Sequence, residues 1–149
     1  MYRAREKQMS IYDYLPPYHG ELCNANRWVR LADAIDWDGF EKAYSALFAP
    51  GGKVALPARV ALGCRIIQLH YAASDREVVA LVQESPYLQY FLGFESFTDA
   101  VPFSSRTVAR FRARIPDKAV RPAVRLLRSF QSVSYTHLPS PRDRSLSRM

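Results

Sequence analysis

The feature that most constrains this chain is the stretch PARVALGCRIIQLHYAA, residues 57–73, which is apolar almost all the way round at helical spacing. A helix of that kind has no face to give to water, so it has to sit at the centre of its fold. Pro57 suits the first turn of such a helix, because its fixed φ fits and its missing N–H is one that goes unpaired there anyway. The segments around it show the same period of three to four. From Glu21, Leu22, Trp28, Leu31, Ala32 and Ile35 recur on one face. From Asp36, a plausible N-cap, Trp37, Phe40, Tyr44, Leu47 and Phe48 do the same until Pro50-Gly51-Gly52 breaks the pattern.

Ser74-Asp75-Arg76-Glu77 has the capping-box spacing, with the serine side chain accepting from the N3 amide and Glu77 reaching back to the cap. Ser85-Pro86 opens a short helix, PYLQYFL, which Gly93 closes as a C′ glycine. Residues 94–103 form a loop. Ser104 or Ser105 then caps RTVARFRARI, Pro116 closes that helix, and a last helix is expected from Asp117 to Phe130, with Pro122 near its start. No strand pair or hairpin turn is evident. The expected fold class is all-α, a small multi-helix domain with a helix-turn-helix-like DNA-binding unit.

Charge is uneven along the chain. The net is +7 over 149 residues, yet residues 1–102 carry ten Lys/Arg against twelve Asp/Glu. Residues 103–130 hold eight basic residues and one acid, Asp117. A field that local points to a docking face for a polyanion. Within it, Val108, Phe111 and Ile115 share one apolar face at i, i+3 and i+7, while Arg106, Arg110 and Arg114 form a ridge at i, i+4 and i+8, with Arg112 between them. Ser104, Ser105 and Thr107 crowd the N-terminus, where hydroxyls, amides and the helix dipole favour phosphate. The expected DNA-binding set is Ser105, Arg106, Thr107, Arg110, Arg112 and Arg114, facing double-stranded DNA. The competing reading is a solvated charged face, against which stands the lack of acidic i+4 partners.

Other constellations have plainer explanations. Tyr87, Tyr90, Phe91 and Phe94 could stack on bases, but the helical spacing of Leu88, Phe91 and Leu92 fits a core. His70 lies in the apolar helix and reads as an interior or boundary histidine with its hydrogen bonds satisfied. Asp33, Asp36 and Asp38 could hold Mg²⁺, though capping explains Asp36 more simply. Cys23 and Cys64 lack CxxC spacing, which fits a reducing compartment and no zinc site. With no phosphate-loop glycines, no GxSxG and no Cys/His arrangement, neither an active site nor a cofactor is expected. No secretory signal and no membrane-spanning segment are evident, so a cytoplasmic protein is expected.

Domain organisation follows from these shifts: an irregular Tyr/Pro-rich arm (1–20), a helical domain (21–130) and a disordered tail (131–149). The tail's Val133-Ser134-Tyr135-Thr136-His137-Leu138 resembles one reading frame of a sequencing-library adapter, which makes an interrupted natural frame the expected cause.

From Arg27 to Ile115 the chain resembles the N-terminal domain of InsH-type DDE transposases of bacterial insertion sequences. The residues that carry the resemblance are Trp28, Leu31 and Ile35-Asp36-Trp37, the turn before Pro57 and the long apolar helix, followed by ASDREVVALVQESPYLQYFLGF and SSRTVARFRARI. Gly51-Gly52-Lys53 stands where the family usually has Gly-Arg-Pro. The resemblance implies a helical domain that recognises inverted-repeat ends, ahead of a ribonuclease-H-like domain whose Asp, Asp and Glu bind two metal ions. None of those three falls on this sequence, so a truncated, non-catalytic fragment is implied. The alternative is a dimerisation module, a homo-oligomer anchored by Trp28, Trp37 and Tyr44 if these are exposed.

Overall fold

The computed structural model describes Tyr2, residues 22–48 and residues 55–137, with side chains as far as Phe130. The rest of the expected arm, and the tail from residue 138, lie outside the described residues. Within them the chain is all helical: α1 (Arg27–Ala34), α2 (Trp37–Ser45), α3 (Ala58–Tyr71), α4 (Asp75–Glu84), α5 (Pro86–Phe91), α6 (Ser105–Arg114) and α7 (Asp117–His137).

Most of the helix ends follow local chemistry. Asp36 caps α2 by accepting from the Gly39 amide at 3.0 Å. Ser74 and Glu77 complete the capping box of α4, and Ser85 accepts from the Leu88 amide to start α5. Gly93 closes α5 at φ +89°, a conformation that strains any residue with a Cβ. Arg59 finishes the same end, donating to the Phe91 and Tyr90 carbonyls at 2.9 and 3.1 Å while its guanidinium covers the Trp37 ring. Four boundaries differ from expectation. α2 ends at Ser45, short of Leu47 and Phe48, and Leu47 is exposed instead of sharing its buried face. α1 begins at Arg27 rather than Glu21, because Asn26 takes the cap and accepts from the Trp28 amide. Pro57 stands just outside α3 at its N-cap. α7 runs on to His137, past Phe130. Its Pro122 lies near the start, where the one carbonyl deprived of its helical partner belongs to the exposed Lys118.

α3 is the central element, buried from Val60 to Gln68 and packed against α2, α4, α6 and α7. α1 bridges α5 and α7, and α4 lies on α5 and α6. Close packing leaves no room for a side chain at Gly63, where an added Cβ would run into Leu92. Trp28, Trp37 and Phe91 meet ring to ring beside α3, and Tyr44 joins Phe40 and Phe48. Tyr2 closes the other side. Its hydroxyl accepts from the Ala58 amide, an N–H that the first turn of α3 leaves unpaired, and donates to Glu41.

α4 and α5 are joined through Ser85 alone, whereas α5 and α6 are separated by residues 92–104. α6 packs on α4 and α3. A tight helix-turn-helix is therefore not established by this arrangement, although the loop before α6 is firmly tied. Gln89, fully buried, donates to the Val82 and Thr98 carbonyls and accepts from the Thr98 amide.

Candidate nucleic-acid interface

α6 buries Val108 and Phe111, with Ile115 following at its C-cap, as the period of its apolar residues predicts. At about 100° per residue, Arg106 and Arg110 then lie on the far side of the helix. Both are exposed, and among the described residues no carboxylate pairs with either. Arg112 and Arg114 fall on the two flanks of the buried stripe, and each is engaged by the fold. Arg112 makes a two-pronged bond to Asp75 at 3.2 and 2.9 Å. Arg114 stands 4.7 Å over the Phe48 ring, beside the Tyr44 phenol. Burial raises the Tyr44 pKa and nearby Arg114 lowers it, but no hydrogen bond of good geometry closes between them. The four arginines are thus two pairs with different surroundings. At the N-terminus Ser105 and Thr107 are partly exposed, with the Thr107 hydroxyl 3.4 Å from that of Ser104.

Behind Arg112 runs a chain of polar groups. Asp75 also accepts from Gln68, Gln68 accepts from Arg65, and Arg65 donates further to the Ile115 carbonyl and the Asp117 carboxylate. Hydrogen bonds from Arg112 and then Gln68 hold the Asp75 carboxyl below its ordinary pKa. This relay links α3, α4, the end of α6 and the start of α7, and it lines an open cleft of about 430 Å³. Sequence reasoning missed it. The available signal was Arg65 with Gln68 three residues on in an otherwise apolar helix, since a buried arginine has to be paired.

The other candidates resolve simply. Trp28 and Tyr44 are buried and Trp37 is half-buried, its indole donating to the Ala32 carbonyl, so none is an exposed anchor for a second copy. Phe91 is core, with Tyr87, Tyr90 and Phe94 packed against it. Among the described residues no group of three or more His, Cys, Asp and Glu could hold a metal ion. Cys64 is buried, which pushes its thiol pKa up, and Cys23 is exposed.

His70 is not the satisfied histidine expected: it packs edge-on to Trp28, and its Nδ1 is buried without a hydrogen-bond partner among the described residues. Desolvation holds its pKa below the ordinary 6.5, and Arg27 and Arg128 push the same way. A ring favoured in its neutral form stabilises the fold fully above the unfolded value and less as pH falls through the lower folded one. The melting temperature should therefore drop between about pH 7.5 and about pH 5.5, and drop less in His70→Phe, as read by circular dichroism.

The family model described as a transposase domain (DUF772) matches residues 11–114, and the chain belongs to that family. The uncharacterized protein ORF8 in the nfe locus of Rhizobium meliloti is 37% identical over 87 residues, covering 58% of this chain. The chain spans 42% of that relative's length. No solved structure matches. Among the described residues no helix is long and apolar enough to cross a membrane.

Proposed function

We propose that this chain is a DNA-docking part of a transposase, gripping duplex DNA through the outward side of α6. The observation that carries the proposal is the pair Arg106 and Arg110, exposed on a helix whose opposite side is buried and lacking acidic partners among the described residues. Ser105 and Thr107 are assigned to phosphate at the same helix's N-terminus. Arg112 and Arg114 border the contact, and DNA would compete with Asp75 for Arg112. The family supports a role in transposition. The finer reading follows the InsH-type resemblance: recognition of inverted-repeat ends at the bacterial nucleoid, with strand cleavage and transfer left to a separate DDE domain and no catalytic role for these residues.

Binding to a 30-base-pair duplex, followed by fluorescence anisotropy between about 50 and 200 mM salt, tests this. Affinity should fall steeply with salt, and Arg106→Gln/Arg110→Gln should flatten the log–log slope by about two units, roughly 0.9 for each phosphate no longer neutralised. Binding that is indifferent to salt, or a double variant with an unchanged slope, sinks the assignment.

A further inference from the structure

We propose a second phosphate-gripping surface on α7, made of Lys118, Arg121, Arg125 and Arg128, which holds the DNA backbone without regard to sequence. The proposal rests on a nucleic-acid partner, as the α6 reading does, but not on the α6 residues. These four cations recur at i, i+3, i+7 and i+10, so they share an arc of about 80° and a line of about 15 Å. All four are exposed, and among the described residues none has an ion pair. The buried stripe of the helix, Val120, Val124 and Leu127, lies to one side of that line.

Three observations favour a linear polyanion. First, no acid occurs from residue 118 to residue 130, and the carboxylate next in sequence, Asp117, is turned to Arg65. Among the described residues, therefore, no ion pair compensates the charge of the stripe. Second, like charges at i, i+3 and i+4 destabilise a helix by a few tenths of a kcal/mol per pair, so the fold itself gains nothing from this spacing. Third, the charge continues onto α1. Arg27 and Arg128 both act on His70, and Arg30 covers the Phe130 ring at 4.4 Å.

A membrane surface fits the stripe less well. A helix lying on lipid needs an apolar face free to enter it, and that of α7 is already in the core. Leu126, the one large apolar side chain of this helix exposed among the described residues, at 38%, sits about 120° round the helix from the middle of the cation line. At 3.4 Å of rise per nucleotide in each strand, 15 Å of cations covers about four nucleotides.

The test uses the full chain and a random-sequence 30-base-pair duplex, again by anisotropy across salt. Changing Lys118, Arg121, Arg125 and Arg128 all to Gln should lower the log–log slope by three to four units, at about 0.9 per phosphate, and weaken binding more than about tenfold near 150 mM salt. Arg125→Gln alone should lower the slope by about one unit. Changing the three arginines to Lys keeps the charge and should leave the slope close to that of the parent. Relief of like-charge repulsion should leave the quadruple variant's melting temperature unchanged or slightly raised, which separates a weakened grip on DNA from a damaged fold. If the α7 variants bind like the parent while Arg106→Gln/Arg110→Gln does not, this inference falls and the α6 reading stands. If only the α7 variants weaken binding, the inference stands and the α6 reading falls. Binding to phosphatidylserine vesicles but to no duplex overturns both.

Discussion

Replacing Arg65 by Ala is expected to destabilise the fold by about 3–4 kcal/mol, seen as a fall in the urea midpoint with an unchanged slope. The side chain is 2% exposed and among the largest that are fully buried. Its removal leaves a cavity beside α3 and takes the partner from two acceptors, the Ile115 carbonyl and the Gln68 side chain. Each buried acceptor left without a donor costs about 1–3 kcal/mol before relaxation. Asp117 adds little to the loss, because at 54% exposure its carboxylate can turn to water. Arg65→Lys should recover only part of the stability, since one ammonium cannot span the three acceptors that the planar guanidinium reaches. Arg112→Gln should change stability far less, because that side chain is 57% exposed and its pair with Asp75 is screened by solvent. A cost for Arg65→Ala no larger than that of Arg112→Gln would mean that the relay does not hold these helices.

The same residue explains how the two basic helices keep a fixed relation. α6 and α7 meet across only Ile115 and Pro116. Arg65 reaches the carbonyl that ends one and the carboxylate that begins the other, and it does so from the least exposed helix of the fold. An arginine deep in an apolar helix is thereby a positioning residue for a surface it never reaches.

What was legible in the sequence was local. Asp36, Ser74 with Glu77, and Ser85 accept from amides within a few residues, and Gly93 ends its helix through its own positive φ, so their types and spacing suffice to mark helix ends. The buried face of α6 was legible too, because Val108, Phe111 and Ile115 share a side whatever they pack against. The partners of the arginines were not legible. Asp75 lies 37 positions before Arg112, and Asp117 lies 52 after Arg65. Nothing in spacing joins them until α3, α4, α6 and α7 are packed. A stripe seen as one ridge of arginines therefore divided in three dimensions, with Arg106 and Arg110 facing out and Arg112 and Arg114 drawn onto the fold. α1 shows the converse, where one asparagine, Asn26, sets a start that the apolar period alone places too early.

Gln89→Leu is expected to cost about 3 kcal/mol and to free the loop ahead of α6 before the rest of the chain unfolds. Leucine nearly matches the volume, so packing is largely kept and the loss isolates hydrogen bonding. The glutamine is fully buried, and its amide satisfies three backbone groups at 2.8–3.0 Å, two of them on Thr98. The Val82 carbonyl stays in the interior and bears the penalty of an unmet acceptor. Thr98 has another recourse, because its neighbours Phe97 and Asp99 are already exposed and the loop can lift into water. Chymotrypsin should therefore cut after Phe97 several-fold faster in the variant under conditions where circular dichroism still reports a folded chain. Since residues 92–104 lead directly into α6, the lifted loop should also loosen Ser104 and Ser105 and weaken binding of short duplexes without altering the charge on Arg106 or Arg110. Cleavage at the parent's rate, together with an unchanged melting temperature, would show that Gln89 is not what fastens the entry to the basic helix.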